Sequence, residues 1–205
     1  MLLIREWDYK DNDQKNGCIF FHKKKDNIKV NLEIGSGNGL FLTTIAAMRK
    51  DESFFGLERL AKCINKTVKK SEKQKIENII LINGDIFTAL DRFFDKDYFD
   101  HIYINFPDPW FKRRHLKKRV VQDVMTAKYY EYLKDGGRLY FVTDNKEYRD
   151  DGIRSLLNKF KPVYDNPYYS SSLPDYPVSL YEEKWKKQDR EIFYSIFEKN
   201  NSSKN

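Results

Sequence analysis

The chain has 205 residues, 40% of them apolar and 34% charged, with a formal net charge of +7. That length accommodates one well-buried core and is short for two, and the excess of Lys and Arg favours an acidic partner, with nucleic acid the leading class. Two cysteines without paired spacing, Cys18 and Cys63, three dispersed histidines and no apolar run near the ~20 residues of a membrane span exclude a disulfide framework, a metal centre and a spanning helix, and a cytoplasmic protein is expected.

Residues 1–28 are polar and uneven, and read equally as a docking arm or a frayed terminus. One domain is expected over residues 29–199. It opens with the alternating strand Lys29–Ile34, which runs into Gly35, Gly37 and Gly39 and then a Gly- and Pro-free helix from Leu40 to Lys50. A strand, a glycine turn and a helix form the first unit of an open α/β sheet. The pattern repeats with strand Ser53–Leu57 and the lysine-faced helix Leu60–Gln74, then strand Ile79–Asn83 and helix Ile86–Phe94. A fourth strand, Phe99–Asn105, precedes a proline-bounded loop. After it come helix Val120–Leu133, the stop Gly136-Gly137, strand Arg138–Val142 and helix Asn145–Phe160. From Pro162 the chain turns to Tyr, Pro and Ser, a loop whose rings either stack on bases or cover the end of the sheet. A short helix at Tyr181–Lys187, a final antiparallel strand at Ile192–Phe197 and a polar tail at 200–205 complete it. The expected fold is α/β, a Rossmann-like, mostly parallel doubly wound sheet with a C-terminal antiparallel strand.

Ligands of such sheets collect at the carboxyl ends of the strands, and Glu33, Glu58, Asp85, Asp108 and Asp144 each fall at or just past one. For Asp85 and Asp144 helix capping is an equally weighted reading. The stretch from Asn105 to Arg119 holds the densest chemistry. Pro107 and Pro109 bracket Asp108 and restrict its backbone, Trp110 follows, and six cations lie within the eight residues Lys112–Arg119. A constrained acid beside a cationic arm suits a small reaction centre set against a large polyanion.

The glycine spacing separates the nucleotide cofactors. Counting from Gly35 and Gly37, the third glycine of a dinucleotide fingerprint falls on Leu40, and the Gly-Lys-Ser/Thr of a P-loop is missing. Glu33-x-Gly35-x-Gly37-x-Gly39 suits S-adenosylmethionine, which carries an ammonium and a sulfonium in place of phosphates. Glu33 would then hold the amino-acid end, Glu58 the ribose diol and Asp85 the adenine amine, with the glycines giving close backbone approach.

Taken together, Glu33-Ile-Gly-x-Gly-x-Gly, Gly56-x-Glu58, Asn83-x-Asp85 and above all Phe106-Pro107-Asp108-Pro109-Trp110 followed by Lys112, Arg113, Arg114 and His115 resemble the bacterial tRNA (guanine-N7-)-methyltransferases over about Leu32–Phe197. The resemblance implies an S-adenosylmethionine-dependent enzyme that methylates N7 of a variable-loop guanine in tRNA, and monomer and homodimer are both open. It places Glu33, Glu58, Asp85 and Asp108 at the cofactor, with Asp108 catalytic, and Lys112, Asp144, Ser179 and Glu182 at the substrate. Arg113, Arg114, Lys117, Lys118 and Arg119 are expected on the tRNA backbone. Departures are Ser179, where threonine is usual, the short N-terminal region, and Lys187-Gln188-Asp189-Arg190, where a glycine is usual.

Three rivals are weighed. An amino-directed base methyltransferase uses an Asn/Asp-Pro-Pro-aromatic motif that Asn105-Phe106-Pro107-Asp108 loosely imitates. A non-catalytic RNA-binding module is opposed by the three glycines and four acids, and a nicotinamide dehydrogenase by the glycine spacing.

Overall fold

The structure, a computed structural model, describes residues 1–5, 21 and 28–200. One eight-stranded sheet runs in the order β1-β4-β3-β2-β5-β6-β8-β7. The strands are β1 (Leu2–Arg5), β2 (Val30–Ile34), β3 (Ser53–Glu58), β4 (Ile79–Asn83), β5 (Phe99–Asn105), β6 (Leu133–Thr143), β7 (Lys161–Pro162) and β8 (Phe193–Glu198). β1 through β6 pair in parallel, and β8 lies antiparallel between β6 and β7. The helices are α1 (Leu40–Met48), α2 (Ala61–Gln74), α3 (Ile86–Phe93), α4 (Asp123–Tyr132), α5 (Lys146–Leu157) and α6 (Leu180–Lys186). This is the expected doubly wound sheet with an antiparallel strand near its end.

Alternation along the strands supplies two apolar faces. Leu32 and Ile34 of β2, Phe55 and Leu57 of β3 and Ile102 and Ile104 of β5 point into a large core with α3, α4 and α5. Phe54, Ile79, Leu81 and Tyr103 point to the other side, against Phe41, Leu42 and Ile45 of α1 and Ile64 of α2. Each such fully buried side chain contributes about 1.5–3 kcal/mol relative to exposure, which is what holds the strand ends in register.

Local details differ from the sequence reading for identifiable reasons. Leu2–Arg5, unassigned within residues 1–28, is an edge strand paired to β4 and anchored by buried Ile4. The rest of that segment, apart from Phe21, lies outside the described residues, as does 201–205. The helix expected from Val120 begins at Asp123. Before it, Arg113–Lys118 forms a short 3-10 turn, and the Val121 N–H donates to the Tyr148 hydroxyl at 3.0 Å instead of to a helical carbonyl. Asn145, not Asp144, caps α5, its side-chain oxygen accepting from the Tyr148 N–H at 2.7 Å. The two-residue strand β7 falls at the start of the expected loop, and it makes β8 an interior strand.

Candidate active site at the switch point of the sheet

From β2 the chain moves outward through β3 and β4, then returns across β2 to β5 and β6. β2 and β5 are therefore neighbours, while α1 and α4, which follow them, pack on opposite faces. Helices that diverge in this way leave a crevice at the carboxyl ends of the two strands.

The turn after β2 lines that crevice. Gly35, Gly37 and Gly39 have φ of +71°, +54° and +73°, a region costly for residues with a Cβ. Their surroundings differ. A Cβ on Gly39 would come within 2.4 Å of Thr67 on α2, so this glycine serves helix packing. A Cβ on Gly35 would meet nothing within 4 Å, and one on Gly37 only the Gly35 carbonyl at 3.9 Å. Gly35 and Gly37 thus border open room beside exposed backbone.

Glu33, next to last in β2, is 3% exposed. Its Oε1 accepts from the Asn105 side-chain amide at 3.2 Å, and Asn105 Oδ1 in turn accepts from the Tyr176 hydroxyl at 2.7 Å. Oε2 is buried with no hydrogen-bond partner. Burial pushes the carboxyl up to about 8 against the Asn105 hydrogen bond, with the charge of Glu58 adding to the rise and that of Lys70 opposing it. A buried, unsatisfied acid oxygen beside a glycine turn suits a cationic group that completes its hydrogen bonding.

Glu58, ending β3, accepts from the Gly37 N–H at 3.0 Å and the Leu60 N–H at 2.7 Å, so it braces the turn against the start of α2 and keeps lone pairs for a diol. Asp85 caps α3, accepting from the Phe87 N–H at 2.9 Å. The capping role is therefore present in Asp85 and belongs to Asn145 rather than to Asp144. Asp144, just past β6, accepts from Arg190 at 2.8 Å, and the Arg190 guanidinium lies 3.9 Å from the centre of the Trp185 ring. Asp189 beside it takes φ +52°, the conformation a glycine would adopt without strain.

Asp108 is exposed on the loop after β5. Phe106 and Trp110 flank it with φ of +48° and +47°, and the Phe106 N–H donates to the Val142 carbonyl of β6 at 2.8 Å. Trp110 meets His115 edge-on at 5.5 Å, with the Lys118 ammonium 4.9 Å from its ring centre. Lys112, Arg113, Arg114, Lys117 and Lys118 are exposed on and beside the 3-10 turn. Arg119 is a correction. It is 3% exposed, its Nε–H donates to the Pro109 carbonyl at 2.6 Å and its terminal nitrogens reach Asp151 and Glu147, so it is not offered to a tRNA backbone.

Ser179 caps α6, its hydroxyl accepting from the Glu182 N–H at 3.1 Å. Glu182 is 2% exposed, accepts from the Tyr194 hydroxyl at 2.7 Å, pairs with Lys186 at 2.6 Å and keeps Oε2 without a partner. The acids at the ends of β2 to β6 thus share one edge of the sheet, and Tyr194 of β8 ties α6 to the adjoining antiparallel strand.

Three contributors escaped the sequence reading. Asn105 opens the chemically dense stretch and enters the loose amine-directed motif, and its sequence context gives it no role at Glu33, yet both ends of its amide are engaged, with Glu33 and with Tyr176. Tyr176 packs its ring on Phe41 at 4.9 Å and Tyr140 at 5.9 Å, so this part of the tyrosine loop covers the sheet. Lys70, hidden among the lysines of α2, is half-buried, its pKa lowered by burial against the charges of Glu183 and Glu33. The local pattern around each is uninformative, because their partners lie far along the chain.

The fold has relatives of known structure. It superposes with TM-score 0.56 on an S-adenosylmethionine-dependent O-methyltransferase of Thermotoga maritima, at 20% identity over 86% of this chain and 61% of that one. The family model described as "Putative methyltransferase" matches residues 27–195. The doubly wound sheet and its glycine-lined crevice are those of a Rossmann-like methyltransferase. Two curated relatives narrow this further: the tRNA (guanine-N(7)-)-methyltransferase of Chlamydia muridarum is 31% identical over 82% of this chain and 75% of its own length, and that of Mycoplasmoides gallisepticum 37% identical over 84% of each. The chain belongs to the tRNA (guanine-N(7)-)-methyltransferase family.

Proposed function

We propose that the chain transfers a methyl group from S-adenosylmethionine to N7 of a guanine in tRNA, in the variable loop. The observation that carries this reading is the unpartnered, buried oxygen of Glu33 beside the open turn at Gly35 and Gly37, in a chain whose relatives carry that activity in their names. The residues fit the cofactor. Glu33 would take its ammonium, Glu58 its ribose diol and Asp85 its adenine amine, while Gly35, Gly37 and Gly39 allow the backbone to approach.

When bound, the cofactor supplies an electrophilic methyl: the N7 lone pair forms the new C–N bond as the C–S bond breaks, and the bonding pair stays on sulfur. Guanine N7 carries no proton, so no general base is required, and the purine ring becomes cationic. Asp108 orients the guanine edge and stabilises that developing positive charge. Lys112, Asp144, Ser179 and Glu182 hold the substrate, and Arg113, Arg114, Lys117 and Lys118 grip phosphates. Engagement of both ends of the Asn105 amide argues against the amine-directed alternative, which needs that amide for the substrate.

The test is incubation of the purified protein with methyl-labelled cofactor and unmodified tRNA transcript, followed by nucleoside analysis and mapping. Label in 7-methylguanosine of the variable loop is expected. Label in another nucleoside, or none, overturns the proposal.

A further inference from the structure

We propose that Arg119 is a positioning residue for methyl transfer, holding the Asp108 loop in its working geometry by clamping the Pro109 carbonyl to α5. The inference rests on the reading of Asp108 as the catalytic acid. The guanidinium is almost wholly withdrawn from solvent, although it belongs to a run of cations that otherwise face outward. It donates through Nε to Pro109 at 2.6 Å, through one terminal nitrogen to Asp151 at 2.7 Å and through the other to Glu147 at 3.3 Å, while its carbon lies 4.7 Å from the centre of the Tyr148 ring. Three directions of a planar fork are thus used at once, something an ammonium cannot reproduce. Tyr148 also accepts from the Val121 N–H at 3.0 Å, so the same ring supports the chain just beyond the turn.

The clamp acts where freedom remains. The proline rings set φ at 107 and 109, and the position before Pro109 restricts Asp108 to extended backbone. The orientation of the peptide after Pro109 is still free, and Arg119 fixes it. Burying a cation for stability alone is poor economy, since an apolar residue in the same space does as well or better.

The experiment compares Arg119→Lys with the wild type in the full chain, measuring thermal unfolding, cofactor and tRNA dissociation constants, and the single-turnover rate. The rate is expected to fall by about thirtyfold while both dissociation constants stay within about threefold. In an Asp108→Ala background the same substitution should cause little further loss, because a clamp on an absent carboxylate has nothing to position. A rate within about threefold of wild type, or an equal loss in both backgrounds, overturns the proposal. If Arg119→Lys does not fold, the Glu147→Gln/Asp151→Asn double variant leaves the arginine present but unbraced. Its rate should drop by about fivefold to tenfold, and an unchanged rate refutes the clamp. Trypsin cleavage within Lys112–Lys118 should quicken in Arg119→Lys without any tRNA present, so a wrong acceptor assignment leaves this readout intact. An unchanged cleavage rate counts against the clamp itself.

Discussion

Glu33, with one oxygen left without a partner, differs from the other acids of the site because its carboxyl is pushed up to about 8 by burial. At pH 7 it is mostly protonated in the free protein, whereas an ammonium placed against Oε2 favours the ionised form. Cofactor binding should therefore release nearly one proton per molecule at pH 7, read by titration calorimetry in buffers of different ionisation enthalpy. Glu33→Gln should release none, and equal release from both proteins would remove the acid from the cofactor site. The same shift bears on stability: a carboxyl raised from 4.5 makes the folded state bind the extra proton, so this group lowers stability progressively as pH rises from about 4.5 to 8 and no further above that. Asp108 stands exposed on a braced loop rather than in the core, and the proposed function makes it the group that orients the guanine. Asp108→Ala is expected to keep cofactor affinity within about tenfold while losing about 100-fold or more of the single-turnover rate on tRNA transcripts. Equal rates would leave the loop without a catalytic acid.

At the scale of elements, the β2–α1 turn packs against α2 at Gly39 and borders open space at Gly35, where the proposal places the cofactor, and experiment can tell the two glycines apart. A Cβ on Gly39 would come within 2.4 Å of Thr67, so Gly39→Ala combines left-handed strain with a clash and should cost about 3 kcal/mol of stability, partly recovered by Thr67→Ala. Gly35 has the strain alone, because its Cβ would enter open space. Gly35→Ala should cost only about 1–2 kcal/mol yet weaken cofactor binding more than Gly39→Ala does, measured by thermal unfolding and calorimetry on both variants. If the two behave alike, the turn does not line the cofactor. This turn was legible in the sequence because glycine spacing after an alternating strand has few other causes. The 3-10 turn was not: its cations read as one arm turned to a polyanion, and nothing local marks Arg119 as the one that folds back toward Asp151 and Glu147 on α5. Pairing of Tyr176 with Asn105 spans 71 residues and leaves no periodic trace. β7 is a Lys-Pro pair that only its neighbour β8 makes into a strand.

Across the whole molecule, the alternation of strands and helices made the sheet and its functional edge readable, since Glu33, Glu58, Asp85, Asp108 and Asp144 all sit at or near a carboxyl end of β2 to β6, while Glu182 lies on α6. The net charge of +7 required the fold before it could be interpreted, because total charge does not say which cations are available. The structure divides the run beside Asp108 into five exposed cations and one buried guanidinium. Each exposed cation that neutralises a phosphate releases counterions on binding and steepens the salt dependence of affinity, by somewhat under one unit in the slope of log K against log salt. Arg113→Ala and Lys117→Ala should therefore each flatten that slope by about 0.7–0.9, with similar weakening for any tRNA sequence. Arg119→Lys should leave the slope unchanged while slowing transfer, because its side chain meets protein rather than phosphate. Filter binding of tRNA over a potassium chloride series measures all three. A slope that flattens with neither surface variant would show that the polyanion lies elsewhere on the protein, and one that flattens with Arg119→Lys would put a phosphate at the buried guanidinium and refute its withdrawal from the tRNA.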